Sequence, residues 1–372
     1  MMSSVQARIS TGADAAGPRW TAQAAQDWYV SQPWLVGCNF TPSTAINQLE
    51  MWQAETFDPL TIDRELGWAA GIGMNTARVF LHDRLWADGR GLIGRIDTFL
   101  TIAQRHGIRP IFVLFDSCWD PNPQSGPQRA PRPGTHNSGW AQSPGTDGLR
   151  DPAQYPRFEA YAKGVVGAFA QDARILAWDV WNEPDNQGGA TYAQLDEAEK
   201  ISLVAGLLPQ VFEWVRSVSP TQPLTSGLWH NDDWSPGGPL NAVERIQVEQ
   251  SDIISFHNYD WPETLEARIA QLRPYGRPLL LTEYMARGNG STFDSALVIG
   301  RRENIAMINW GFVVGKTQTN MPWDSWQRPY VDIQPTLWFH DIFHADGRPY
   351  RQAEVDMIRR MTREAESQRK AV

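Results

Sequence analysis

Eight short, continuously apolar or β-branched runs alternate with longer amphipathic stretches through most of this chain, and that alternation restricts the fold more than any other feature. The runs predicted as strands are residues 34–40, 74–81, 109–116, 175–181, 223–229, 252–257, 278–283 and 311–317. Unbroken hydrophobicity, rather than a polar/apolar alternation, marks strands buried on both faces. Helical periodicity falls between them over 62–70, 94–106, 158–170, 192–215, 265–272 and 293–308. Strand and helix repeating in this order predict an α/β fold, a single TIM (β/α)8 barrel with long βα loops. A chain of 372 residues suits one such domain. Residues 1–30 read as an N-terminal extension and 31–372 as the barrel.

Segments rich in Pro and Gly follow the predicted strands rather than precede them, and barrel sites are built from loops at the strands' C-terminal ends. The longest, 117–156, has the Pro, Gly and Trp content of a wall over such a site; shorter ones at 231–241, 287–291 and 318–334 share its rim. Two strands end in a glutamate. Trp178-Asp-Val-Trp-Asn-Glu-Pro184 closes on Glu183, where Pro184 turns the chain aside, and Leu279-Leu-Leu-Thr-Glu-Tyr284 closes on Glu283. Paired carboxyls at the mouths of two parallel strands are what glycosidic bond cleavage requires, one to protonate the leaving oxygen and one to attack the anomeric carbon. Arg78, inside Asn75-Thr-Ala-Arg-Val-Phe-Leu81, is a charge in an otherwise apolar strand. A buried guanidinium needs an anionic partner, and Glu283 is the candidate.

An Asn-Glu-Pro tripeptide closing one strand and a lone Glu closing a later one resemble the clan A glycoside hydrolases, within them most nearly the cellulase-like family 5, from about Trp34 onward. The resemblance implies a retaining β-glycoside hydrolase acting on a neutral oligo- or polysaccharide by double displacement, with Glu183 as acid/base and Glu283 as nucleophile. It implies further that Arg78 bonds the nucleophile and holds its pKa down by about 1–3 units, and that the Asn182 amide meets the sugar's 2-hydroxyl. In His257-Asn-Tyr259, closing the sixth strand, Tyr259 would donate to Glu283 and His257 would stand near the acid or a sugar hydroxyl. Trp323 and Trp326, in Met321-Pro-Trp-Asp-Ser-Trp326, take the place of the family's tryptophan floor, Trp323 being preferred. The chain departs from the common pattern here, because Trp310 precedes the predicted eighth strand and Lys316-Thr-Gln-Thr fills its end. Lys316 and Gln318 become candidate contacts in the first sugar subsite. His230 is a further candidate contact, His82 a remoter one, and Trp119, Trp140, Trp234 and Trp261 are candidate platforms on rim loops.

Composition narrows the partners. With 42 acidic against 33 basic side chains the net charge is −9, which disfavours nucleic acid and anionic lipid and suits a carbohydrate partner. Eighteen tryptophans supply faces for pyranose rings, although most are expected in the core. No phosphate-cradling Gly-rich loop, zinc-type His-Glu-x-x-His or calcium-loop spacing occurs, so no metal and no cofactor are expected. The only cysteines, Cys38 and Cys118, stand at the ends of strands that should not be neighbours, and read as buried free thiols. No apolar run reaches the roughly eighteen residues of a membrane span. The polar stretch 1–17 shows no leader, which leaves a cytoplasmic location open beside a periplasmic or secreted one with its signal removed. Three rivals remain: a transglycosylase on the same residues, a barrel that only binds carbohydrate, and a lyase or aldolase using Lys316. Glucanase, mannanase and xylanase activities stay unseparated, as does the oligomeric state.

Overall fold

The structure, a computed structural model, describes residues 17–370, so most of the polar N-terminal stretch lies outside the described residues. Eight strands form one sheet: β1 Val36–Asn39, β2 Thr76–Phe80, β3 Arg109–Asp116, β4 Ala177–Asn182, β5 Leu224–Gly227, β6 Ile254–His257, β7 Leu279–Glu283 and β8 Ala306–Asn309. Their order is β5-β4-β3-β2-β1-β8-β7-β6, every pair parallel. Leu228, just beyond β5, closes the ring by bridging Phe256 of β6, with its N–H 3.1 Å from the Ser255 carbonyl. This is the expected single (β/α)8 barrel. Nearly all strand residues are buried, as their unbroken hydrophobicity required.

The eighth strand lies elsewhere than expected. The sequence pattern predicts the strand over 311–317 and one helix over 293–308; in the structure the helix stops at Arg302 and β8 is Ala306–Asn309. Asn304, with φ +50°, turns the chain out of the helix, and the apolar tetrad that follows slots between β1 and β7. Gly311 has φ +77°, and a Cβ there would stand 2.6 Å from the His340 Cβ. The backbone therefore leaves the sheet at that point, and the β-branched run after it becomes loop. The 192–215 stretch divides as well, into Gly189–Tyr192 and Glu197–Ser217, because the Asp196 side chain caps the second helix at the Glu199 N–H.

Two apolar layers hold the barrel. The larger lies between strands and outer helices and includes Phe99, Phe112, Phe158, Trp178 and Phe212. The smaller gathers Leu35, Ile111, Ala177, Leu280 and Ala306 around Ala25 and Tyr29. Those barrel residues stand at or just before the N-terminal ends of their strands, so the helix Ala22–Ser31 plugs the end opposite the loops. The 117–156 segment is ordered, pinned by Asp116 at the end of β3. That carboxylate accepts from Trp140 Nε1 at 2.6 Å and from Gln48 Nε2 at 3.1 Å, and the Asp116 and Ser143 backbones exchange hydrogen bonds. No described helix is long and apolar enough to cross a membrane.

Candidate active site

The barrel mouth is organised around Arg78, which is fully buried on β2. Its Nη1 donates to Glu283 Oε1 at 2.8 Å and to Asn39 Oδ1 at 2.9 Å. Nε and Nη2 both reach Asp179 Oδ2, at 3.1 and 2.8 Å, and Nη2 also reaches Asn182 Oδ1 at 2.6 Å. The expected partner Glu283 is present, and a second carboxylate, Asp179 of β4, shares the same charge. Tyr259 completes the cage around Glu283, its hydroxyl donating to Oε2 at 2.6 Å.

Glu183 follows β4 with φ +43°, a left-handed conformation that costs a non-glycine residue on the order of 1 kcal/mol. The register also shifts between Asp179 and Asn182 along β5, and between Phe256 and His257 along β7. Bulges of this kind re-aim strand-end side chains. His257 consequently lies opposite Glu283, with Nδ1 2.7 Å from Glu183 Oε1 and 3.6 Å from Glu283 Oε2. One oxygen of each glutamate and an imidazole nitrogen all fall within 4.8 Å of one another.

Burial dominates the electrostatics. It raises the carboxyls of both Glu183 and Glu283 above the ordinary range. At Glu283 this prevails over Arg78 and Tyr259, contrary to the expectation that Arg78 would hold it low. The physical reason is that burial penalises the charged form most and the facing Glu183 carboxyl adds like-charge repulsion, which together outweigh the Arg78 charge and the Tyr259 hydrogen bond. Burial likewise pushes His257 down to about 4, leaving a neutral imidazole, and keeps the Tyr259 phenol well above 10 and hence a donor.

A cavity of about 410 Å³ opens over these groups, lined by Glu183 and Glu283 together with Trp119, His136, Trp229, Trp310 and Trp323. Of the remaining sequence candidates, Asn182 and His230 also line it. Asn182 turns its amide nitrogen to Asp116 Oδ1 at 2.9 Å, its amide oxygen being held by Arg78. Trp326 does not reach the cavity; it stacks on Trp119 with ring centres 5.3 Å apart. Lys316 is tied to Glu50 at 2.5 Å and does not line the cavity. Of the proposed platforms, Trp140 and Trp234 are core residues and Trp261 is exposed outside the cavity. His82 is buried away from it, accepting from the Arg84 N–H.

Sequence reasoning missed Trp310, because the eighth strand was misplaced. Trp310 directly follows β8, hydrogen-bonds the Tyr284 carbonyl and stands edge-on to Phe80 and Trp140, each 5.8 Å away. It missed Cys118 too, whose Sγ lies 3.2 Å from Glu183 Oε2, and Asn186, whose Nδ2 donates to the same oxygen at 2.6 Å. Both cysteines are free, as expected, but only Cys38 is a core thiol.

Fold and site together define a (β/α)8-barrel protein with two buried, facing glutamates at the ends of β4 and β7 beneath an aromatic-lined cavity. No protein-family model matches the chain. It is similar to mannan endo-1,4-beta-mannosidase A of Aspergillus aculeatus, 23% identical over 227 residues, which cover 56% of this chain and 54% of that protein. The chain thus spans about half the length of that relative. Among solved structures it is similar to an exo-beta-1,4-mannosidase from an Opitutaceae bacterium, at TM-score 0.59 and 21% identity over 90% of this chain and 60% of that one. An endo-beta-1,4-mannanase from Thermotoga petrophila matches at TM-score 0.57 and 14% identity, over 91% of this chain and 78% of that one.

Proposed function

We propose that the chain is a retaining β-glycoside hydrolase acting on β-1,4-linked mannose-containing saccharides, with Glu183 as general acid/base and Glu283 as nucleophile. The observation that carries the mechanism is the spacing: an oxygen of each glutamate within 4.8 Å. Carboxyls about 5–5.5 Å apart serve retention, whereas inversion needs roughly 6.5–9.5 Å to admit a water. Relatives that are mannosidases and mannanases support the choice of sugar.

In the first step Glu283 attacks the anomeric carbon while Glu183 gives its proton to the departing glycosidic oxygen, forming a glycosyl ester. In the second a water attacks that carbon, Glu183 takes the water's proton, and the ester bond breaks to return free Glu283. Arg78 on Oε1 and Tyr259 on Oε2 hold Glu283 ready for attack in line with the anomeric carbon. The buried, raised carboxyl of Glu183 suits it to hold a proton for the leaving group. Trp310, which directly follows β8, lines the same cavity as both glutamates and is braced edge-on, takes the role of the floor under the reacting sugar, in place of Trp323. With Arg78 and Tyr259 occupying the two oxygens of Glu283, that carboxylate is poorly placed to ligate a cation, which favours the metal-independent mechanism.

A proton NMR time course on a manno-oligosaccharide tests the reading: the β-anomer should appear first, and initial α-anomer would overturn it. Glu183→Ala should lose roughly 10²–10⁴-fold where the leaving oxygen needs a proton, and azide should restore turnover as a β-glycosyl azide. Rescue of Glu283→Ala instead would reverse the two roles.

A further inference from the structure

We propose that Cys118 and Asn186 act together as positioning residues for Glu183, holding its Oε2 so that the carboxyl presents its proton to the leaving oxygen in one orientation. The inference rests on the reading of Glu183 as acid/base and assigns the groups that make it one.

The geometry is a closed set of contacts on one atom. The Cys118 thiol donates to Glu183 Oε2 at 3.2 Å, and Asn186 Nδ2 donates to the same oxygen at 2.6 Å. The sulfur in turn accepts from Asn182 Nδ2 at 3.4 Å and Asn186 Nδ2 at 3.6 Å. A free cysteine is most often a small buried hydrophobe. This one packs on the Phe80, Val113 and Trp140 cluster but also lines the cavity and has three polar partners at its sulfur.

The backbone is shaped to deliver it. Asp116 Oδ1 accepts from the Cys118 N–H at 3.0 Å and from Asn182 Nδ2 at 2.9 Å, which ties the loop after β3 to the end of β4. Trp119 follows with φ +65°, and the Asn186 N–H returns to the Glu183 carbonyl at 2.9 Å, closing a turn around the acid. Asp116, Glu183 and Glu283 surround the thiol and, with burial, hold it protonated and able to donate. A thiol is a weak donor, so most of the hold comes from Asn186, and the sulfur fixes where that amide points.

His257 Nδ1 at 2.7 Å from Oε1, Arg78 and Asp185 also face Glu183 and stay unchanged in these variants; donors to an ionised carboxylate stabilise the ionised form, so loss of Cys118 or Asn186 raises the pKa of Glu183. The basic limb of kcat/KM, which reports loss of the acid's proton, must then move to higher pH. A second effect follows from orientation: a loosely held acid harms only substrates whose leaving group needs protonation. The experiment compares Cys118→Ala, Cys118→Ser and Asn186→Ala on an activated aryl β-glycoside and on an unactivated disaccharide of the same sugar. For Cys118→Ala and Asn186→Ala we expect the basic limb to move up. We also expect kcat/KM on the disaccharide to fall about 10-fold or more, against little change on the aryl glycoside. Cys118→Ser, which keeps a donor of similar size, should lie nearer the wild type on both measures. Equal losses on the two substrates, or an unmoved limb in folded variants, would overturn the proposal. Glu183→Ala on the same pair is the control: if it shows no leaving-group dependence, the acid/base reading itself fails, whatever the positioning variants do.

Discussion

Arg78 lies 2.8 Å from Glu283 through Nη1 and equally 2.8 Å from Asp179 through Nη2, so one fully buried guanidinium balances a carboxylate that faces the cavity and another that does not. Removing it would strand two buried acids. Arg78→Met should therefore destabilise the fold by about 3–5 kcal/mol, the usual result of breaking a buried pair from one side. It should also move the acidic limb of kcat/KM upward, because Glu283 must be ionised to attack and loses a stabilising charge. Adding Asp179→Asn should recover part of the stability, read by denaturant unfolding, and leave the limb displaced. A limb that stays in place in a folded variant would remove Arg78 from the mechanism.

Glu183 carries a stability cost as well. Its folded pKa is raised by burial, so the folded chain binds a proton there that the unfolded chain releases near pH 4.3. Stability from this group is therefore fully present below that pH and is lost as pH climbs through the folded value. Glu183→Gln keeps the shape and removes the titration. At pH 7 it should melt higher than the wild type, by about 2 °C or more. The gap should close as the pH is lowered to about 4, and a gap independent of pH would contradict the linkage.

Trp310 and Trp323 both line the cavity, yet they should separate kinetically. Trp310 directly follows β8 and is braced by Phe80 and Trp140, whereas Trp323 is 37% exposed on a short 3-10 turn against Tyr259. Trp310→Ala should lower kcat and kcat/KM together by about 2- to 10-fold, since an aromatic contact contributes roughly 0.5–1.5 kcal/mol beyond its area. Trp323→Ala should mainly raise KM, as loss of uniform binding does. The reverse pattern would return the floor to Trp323.

The 117–156 segment brings Cys118, Trp119 and His136 to the cavity wall, and Trp326 stacks behind Trp119. A wall beside the acid that closed one end of the groove would make chain ends or short oligosaccharides the better substrates. Reducing-end release from a soluble mannan should then outpace loss of viscosity. A rapid fall in viscosity at low sugar release would mean cleavage within the polymer and a groove open at both ends.

Much of this site was legible in the sequence, and the residues show why. Glu183, Glu283, Arg78, His257 and Tyr259 each end or interrupt an apolar run, and such runs are chain-local signals. Once eight of them specify a parallel barrel, the strand ends must converge at one mouth, so these residues meet although they are far apart in sequence. Asp179 carries the same mark, a charge inside the apolar run of β4, whereas Asn186 and Cys118 carry none. Cys118 comes within 3.2 Å of Glu183 only because Asp116 ties the β3 loop to Asn182, and no periodicity encodes a contact across two loops. The position of β8 was likewise a tertiary decision. Residues 306–309 and 311–317 are both apolar, and pairing with β1, Cys38 opposite Asn309, selects the first. That selection set Trp310 directly after the strand end, in the lining of the cavity that holds the glutamates. Charge balance was decided at the same level, because the burial and the facing Glu183 carboxyl that outweigh Arg78 at Glu283 exist only once the barrel has closed.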